Sequence, residues 1–93
     1  MSEGRSPYGV EWASPSRRSM GRVPDNVAAA VIEFVYGALA DNPRRVGRAL
    51  RVELEGLHSA RRGDYRIVYL IEEDRRVIVI EAIGHRADVY RHR

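Results

Sequence analysis

Two apolar stretches separated by a charged turn dominate the second half of the chain. The first runs from Tyr65 to Ile71, and the second, rich in β-branched residues, runs from Val77 to Ile83. Because apolar residues fill nearly every position of the first stretch, we expect it to form a central strand covered on both faces. The turn at residues 73–76 predicts an antiparallel hairpin, and Gly84 is expected to end the second strand before His85.

Arg66 interrupts the first apolar stretch. A charge buried without a partner costs several kcal/mol, so this guanidinium must reach solvent, a partner or an anion. Arg66 is therefore the first candidate for a functional residue.

The first half of the chain predicts a short strand and then a short helix. Tyr8, Val10 and Trp12 alternate with small or polar residues, as in a half-buried strand. Ser14 is expected to cap the short helix, which should end within residues 21–24.

A longer amphipathic helix follows, and its pattern is the clearest in the chain. It is expected to begin at Pro24 and Asp25 and to end at residues 41–43. Its apolar positions form one stripe that should pack against a sheet: Val27, Val31, Phe34, Val35, Ala38 and Leu39.

The remaining elements complete an α+β fold in the order β-α-α-β-β-β. Residues after Pro43 have weak periodicity and predict a loop, which leads to a strand over Leu57–Arg62 and a tight turn at Gly63 and Asp64. The two N-terminal helices should pack on a twisted antiparallel sheet. We expect one domain over residues 8–93, after a disordered lead-in at residues 1–7.

Every one of the 16 basic residues is arginine, and the formal net charge is +3. Codon bias in a GC-rich genome would also favour arginine, yet the arginines are unevenly placed. Seven of them, against three carboxylates, lie between Arg44 and Arg66, and three more lie within residues 85–93. Guanidinium groups bind phosphate through two parallel hydrogen bonds. The sequence therefore predicts a basic patch for nucleic acid, if the fold brings these segments together.

The composition also excludes several kinds of protein. The chain has no cysteine, so neither a disulfide framework nor a thiolate zinc site is available. No apolar stretch approaches the roughly 20 residues of a membrane span. A cytoplasmic protein without a membrane segment is therefore expected.

The segment GDYRIVYLIEEDRRVIVIEAIGHRADVY, with the helical pair and the basic loop after Pro43, resembles the RelE/ParE superfamily of bacterial toxins. The resemblance runs from about Tyr8 to the end of the chain and is greatest to the RelE branch. It implies a RelE-like fold and a toxin that cuts mRNA on the ribosome without a metal or small-molecule cofactor. In that reaction the ribose 2′-hydroxyl attacks the adjacent phosphate and leaves a 2′,3′-cyclic phosphate.

The resemblance also implies partners and residue roles. The partners are the ribosome, mRNA and a small amphipathic RelB-like antitoxin. Arg66 matches the arginine of the family's Tyr-Arg-aliphatic-aliphatic-Tyr strand and would stabilise the phosphorane. His85 and Tyr90 are the candidates for proton transfer, with acid and base unassigned. The candidates for binding RNA are Arg48, Arg51, Arg61, Arg62 and Arg86.

The chain departs from the family at one place. Well-studied RelE nucleases carry lysines where this chain has Leu57 and Ser59, so a lysine-derived base is absent. The resemblance itself also allows a ParE-like poison of DNA gyrase as an alternative. The missing lysines keep a further alternative open, a degenerate toxin that only binds its antitoxin and regulates its operon.

Overall fold

A five-stranded sheet with helices on one face forms the framework of the protein. The computed structural model describes residues 7–50 and 56–85. In chain order, the elements are β1 (Gly9–Trp12), α1 (Ser14–Met20), α2 (Asp25–Phe34) with a π-helical turn over Val35–Leu39, α3 (Pro43–Val46), β2 (Arg48–Ala49), β3 (Leu57–Arg62), β4 (Tyr65–Glu72) and β5 (Val77–His85). The predicted α+β class is confirmed.

The strand order is β1-β5-β4-β3-β2, which places β4 at the centre as predicted. The strand is not fully covered on both faces, because buried residues alternate with half-buried ones from Arg66 to Glu72. All neighbours are antiparallel except β1, which runs parallel to β5. The basic segment after the second helix is not a plain loop, because it contains α3 and β2. Gly84 does not end β5, which continues through His85. Gly84 pairs with Arg66, so β5 stays paired with β4 at this position.

The apolar stripe of α2 faces the sheet, with one correction. Val31, Val35 and Leu39 are at most 1 % exposed, as the pattern predicted. Ala38 is exposed instead, and Ala40 is buried. The π-helical turn explains the change, because a wider turn shifts every later residue around the helix axis.

The first helix begins differently from the prediction. Ala13, not Ser14, occupies the N-cap position, and its side chain makes no capping hydrogen bond. The buried serine of this helix is Ser16, whose hydroxyl lies 2.7 and 2.8 Å from the Ile80 and Ala13 carbonyls, to which it donates. These bonds fix α1 against the end of β1 and the middle of β5.

The core lies between the sheet and the helices. Its buried members are Val31, Val35, Leu39, Ala60, Ile67, Tyr69, Ile71, Ile78, Ile80 and Ile83. In β5 the inward residues change from even to odd numbers, because the register shifts where Val68 pairs with Ala82 but Tyr69 pairs with Ile80. Glu81 is the extra residue of this β-bulge. The bulge brings Ile83 into the core and sets the faces of the residues after it.

Candidate functional site

Three of the arginines predicted to bind phosphate, Arg48, Arg61 and Arg66, meet at one end of the sheet. Pairing places Arg48 opposite Ser59, and Arg61 opposite Arg66. Cross-strand partners share a face, as do residues two apart in a strand, so all four side chains lie on one face. This is the face opposite α1 and α2, because Ala60 between Ser59 and Arg61 points into the core. We call Arg48, Ser59, Arg61 and Arg66 the arginine end.

Arg66 is held by a neutral hydrogen-bond acceptor. Its Nη1 donates to Ser59 Oγ at 3.0 Å. Ser59 is only 6 % exposed, whereas Arg48 and Arg61 are exposed. The site therefore has one partly buried guanidinium of fixed orientation and two outer guanidinium groups that can follow a bound chain.

Two arginines face each other across β3 and β4 at this end. Like charges directly opposite each other on neighbouring strands destabilise a sheet, and Arg61 faces Arg66 in this way. A two-residue turn at Gly63 and Asp64, with a φ of 64° at Gly63, joins the two strands and keeps the pair together. A phosphate between the guanidinium groups would relieve the repulsion and add charge-assisted hydrogen bonds.

His85 lies on the other face of the sheet. It pairs with Tyr65, and the two rings meet edge to face with centroids 5.8 Å apart. Its neighbour Gly84 is the residue opposite Arg66. The structure thus brings His85 to the same end of the sheet as Arg66 but not onto the same face. Without the bulge at Glu81, strict alternation from Ile78 would have put His85 on the face of Arg66.

Arg62 also belongs to the helix-facing side. Together with Tyr65 it lines an open cleft of about 240 Å³ between the start of α2 and the turn from β3 to β4. Arg62 is therefore near the arginine end in sequence but separated from it by the sheet. The other candidates, Arg51, Arg86 and Tyr90, lie outside the described residues.

A buried tyrosine fixes the segment that carries Arg48. The Tyr69 hydroxyl donates to the Pro43 carbonyl at 2.6 Å, and burial raises the pKa of Tyr69 to about 12. Gly47 passes so close that a Cβ there would collide with the Tyr69 hydroxyl and would lie 2.7 Å from the Ser59 carbonyl oxygen. This contact, which we call the Tyr69 anchor, joins α3 and β2 to the core. Its only signal in the sequence is a tyrosine in an apolar strand.

The opposite end of the sheet holds paired charges. Arg75 contacts Glu11 at 2.9 Å and Glu72 at 2.6 Å, and Arg44 contacts Glu73 at 2.9 Å. Hydrogen bonding from Arg75 lowers the pKa of Glu11. We call these five residues the paired end.

Tyr8 adds to the paired end from the start of β1. Its hydroxyl donates to Glu73 at 2.9 Å, and Arg76 lies over its ring, 4.2 Å from the centroid. Burial, followed by the bond to Glu73, raises the pKa of Tyr8, while bonds from Tyr8 and Arg44 lower the pKa of Glu73.

No cluster suited to a metal ion occurs in the part of the chain that the structure describes. Within residues 7–50 and 56–85, no three His, Asp or Glu side chains lie close enough together to hold an ion. In the same residues, the helices are too short or too polar to cross a membrane.

Comparison with known proteins agrees with this architecture. Residues 10–90 match the family described as ParE toxin of type II toxin-antitoxin system, parDE. Over 85 residues the chain is 48 % identical to toxin RelE of Mycobacterium tuberculosis, covering 91 % of this chain and 88 % of that protein. Toxin RelG of the same organism is 46 % identical over 85 residues, covering 91 % and 98 % of the two chains. The chain belongs to the ParE toxin family, on its RelE branch.

Solved structures give the same result for the fold. The toxin superposes with a TM-score of 0.81 and 42 % identity on a chain of the toxin-antitoxin complex RelBE2 from Mycobacterium tuberculosis, covering 86 % of this chain and 99 % of that one. It matches the isolated RelE toxin of E. coli with a TM-score of 0.72, covering 90 % and 92 %. Identity there is 14 %, so this second match concerns the fold alone.

Sequence reasoning missed two features of the toxin. Ser59 is a hydrogen-bond partner of Arg66, whereas the sequence suggested only that a family lysine was missing there. Its signal was a small polar residue in a strand next to the strand that carries Arg66. The second feature is the Tyr69 anchor, because a tyrosine in an apolar strand does not indicate which distant residue its hydroxyl contacts.

Proposed function

We propose that the toxin is a ribosome-dependent endoribonuclease that cuts mRNA and so inhibits translation. The arginine end carries this proposal, because it combines a guanidinium of fixed orientation with two exposed ones on a single face. Such a surface suits the closely spaced phosphates of a single RNA strand.

The proposed reaction is attack of a ribose 2′-hydroxyl on the adjacent phosphorus. The P–O bond to the next nucleotide's 5′ oxygen breaks, which leaves a 2′,3′-cyclic phosphate and a 5′-hydroxyl. Arg66 would stabilise the additional negative charge of the phosphorane, because its guanidinium is already oriented by Ser59 before the substrate arrives. Arg48 and Arg61 would bind neighbouring phosphates.

Proton transfer needs other groups, since arginine does not deprotonate in proteins. His85 and Tyr90 stay our predictions for this role. The His85 ring packs against Tyr65 on the helix-facing side, so it would have to reach the scissile bond around the end of β5. Tyr90 belongs to the segment beyond the described residues.

We further propose an antitoxin of the RelB type as the partner in the cytoplasm. The 42 % identical relative of known structure forms part of a toxin-antitoxin complex. On this chain, Ile32 and Tyr36 are exposed by 45 % and 54 % and lie four residues apart, on one side of α2 and the turn after it. The Trp12 indole donates to the Tyr36 hydroxyl at 2.9 Å, which fixes part of this apolar surface.

The test is primer extension on a defined message with purified ribosomes, alongside the same message without ribosomes and a gyrase supercoiling assay. We expect cuts only when ribosomes are present and no effect on supercoiling. Inhibited supercoiling without cuts would assign the toxin to the gyrase poisons. Inactivity in both assays, with tight binding of an antitoxin, would identify a degenerate toxin.

A further inference from the structure

We infer that Ser59 is a positioning residue for Arg66: its hydroxyl fixes the guanidinium at the angle needed to receive the scissile phosphate. This inference rests on the proposed nuclease function. It starts from the 3.0 Å bond between Arg66 Nη1 and Ser59 Oγ and from the 6 % exposure of Ser59.

The direction of the hydrogen bond follows from the chemistry of the two groups. A guanidinium has five N–H donors and no acceptor, so Ser59 Oγ must accept. Buried polar groups are nearly always hydrogen-bonded, and this bond satisfies the hydroxyl oxygen at its burial site. Ser59 Oγ therefore accepts from Arg66 with one of its two lone pairs.

A neutral acceptor has an advantage at this position over a carboxylate. At the paired end, Glu11 and Glu72 lie within 2.9 Å of Arg75 and offset its charge. A serine hydroxyl carries no charge, so its acceptance of the Arg66 Nη1 hydrogen bond orients that group and adds no negative charge of its own. Ser59 is thus suited to hold a guanidinium that has a ligand of its own to bind.

Orientation should matter more for the rate than for binding. Displacing a catalytic group by about 1 Å can reduce a rate by ~100-fold, because the group no longer meets the transition state. Binding of the RNA is shared with Arg48 and Arg61, which do not depend on the Ser59 hydroxyl for their place on β2 and β3. Losing the hydroxyl should therefore lower kcat and leave KM nearly unchanged.

The first experiment compares serine variants in the ribosomal cleavage assay. Ser59→Ala should lower kcat about tenfold or more, and Ser59→Thr, which keeps the hydroxyl and suits a strand, should restore most of it. The control is Ser16→Ala, which removes another buried hydroxyl that bonds only to the Ala13 and Ile80 carbonyls in the described contacts. It should lower stability but leave kcat per folded molecule unchanged.

The second experiment distinguishes positioning from general support of the fold. Ser59→Ala is combined with Arg66→Lys. The Arg66→Lys single variant should keep a measurable residual activity, so that it can serve as the background. If Ser59 acts through the guanidinium, Ser59→Ala should lower kcat by less than about twofold in the Arg66→Lys background, because coupled residues are not additive. A structural role would reduce both backgrounds by the same factor.

The outcomes separate this inference from the proposed function. A wild-type protein that does not cleave on ribosomes overturns both. Wild-type cleavage together with an unaffected Ser59→Ala protein, or with equal losses in both backgrounds, overturns only the positioning role. If Ser59→Ala does not fold, Ser59→Cys replaces it with the same expectation, since a thiol is similar in size and only a weak acceptor.

Discussion

The two ends of the sheet use the same residue type in opposite ways. At the paired end, Arg44 and Arg75 each contact a carboxylate within 2.9 Å. At the arginine end, Arg61 faces Arg66, and a neutral hydroxyl, that of Ser59, accepts a hydrogen bond from Arg66. The two ends thus differ in the residues that the fold places beside their arginines, which the number of arginines in the chain does not show.

This difference between the two ends explains why composition alone could not identify the arginines of the candidate site. All 16 basic residues are arginines, and their clustering along the sequence does not show which of them share a face of the sheet. Only the sheet register reveals that Arg48 and Arg61 join Arg66, while Arg62 falls on the other face. The contrast between the two ends can be tested by substitutions in each.

The largest effect on the cleavage rate should come from removing Arg66 at the arginine end, with removal of Arg75 at the paired end as the comparison. Arg66→Ala should lower the cleavage rate by about 10²–10³-fold, since it removes a charge that stabilises the transition state. Arg75→Ala is the matched control and should leave the rate within about twofold of wild type, because Arg75 pairs with Glu11 and Glu72. Single-turnover cleavage on programmed ribosomes measures both. Equal losses in the two variants would contradict the functional difference between the ends.

A close backbone contact beneath the arginine end should give the largest effect on stability. Gly47→Ala should destabilise the protein by about 1–3 kcal/mol, because the new Cβ meets the Ser59 carbonyl and the Tyr69 hydroxyl. Gly37→Ala is the control, since a Cβ at Gly37, in the π-helical turn, would have no atom within 4 Å. It should stabilise by roughly 0.5–1 kcal/mol. Urea unfolding measures both, and a neutral Gly47→Ala would refute the close contact.

The Tyr69 anchor predicts an alkaline loss of stability. An unfolded tyrosine ionises near pH 10, whereas burial raises the pKa of Tyr69 in the folded protein to about 12. Its contribution is therefore complete below about pH 10 and is lost as pH rises towards about 12. Tyr69→Phe should cost about 1–2 kcal/mol at neutral pH and should flatten this alkaline decline in urea unfolding. An unchanged decline in the variant would assign it to other groups.

The smallest effect should come from the paired end. Exposed ion pairs contribute little and are screened by salt, so Glu11→Gln should shift the urea midpoint less than Tyr69→Phe does. The shift should vanish at about 1 M salt. Because the pKa of Glu11 is lowered in the folded protein, its contribution is present near neutral pH and is lost as pH falls below its ordinary range. A salt-independent shift would point to packing instead of charge.

Much of the fold could be predicted because local patterns agree with it. The strand Tyr65–Glu72 follows from an apolar run, and the Gly-Asp pair indicates the tight turn that joins it to the weakly patterned strand Leu57–Arg62. The π-helical turn could not be predicted, because Ala38 and Ala40 both suit a helix stripe. Nor could α3 and β2, since their place depends on contacts with the distant Tyr69.

The sequence marked Arg48, Arg61 and Arg66, which the structure brings to one face, but it did not show how the other candidates are arranged. Arg66 was marked by its position in an apolar strand. His85 was assigned to the same chemistry, yet the bulge at Glu81 turns it to the helix-facing side. In Val77–Ile80 every residue is apolar, so the sequence does not show which side chains face the core. The extra residue is revealed by the pairing of β4 with β5 and by the burial of Ile83. The role of Ser59 becomes visible only in the structure, where its hydroxyl accepts a hydrogen bond from Arg66 on the neighbouring strand.

The most direct test of the proposed reaction is cleavage of a message with one altered sugar. Primer extension first maps the cut on ribosomes, and the nucleotide that supplies the 2′-hydroxyl is then replaced by its 2′-deoxy form. We expect the wild-type toxin to cut the ordinary message and to leave the 2′-deoxy message intact at that position. Equal cutting of both messages would contradict attack by the 2′-hydroxyl, and failure to cut either would contradict the nuclease function itself.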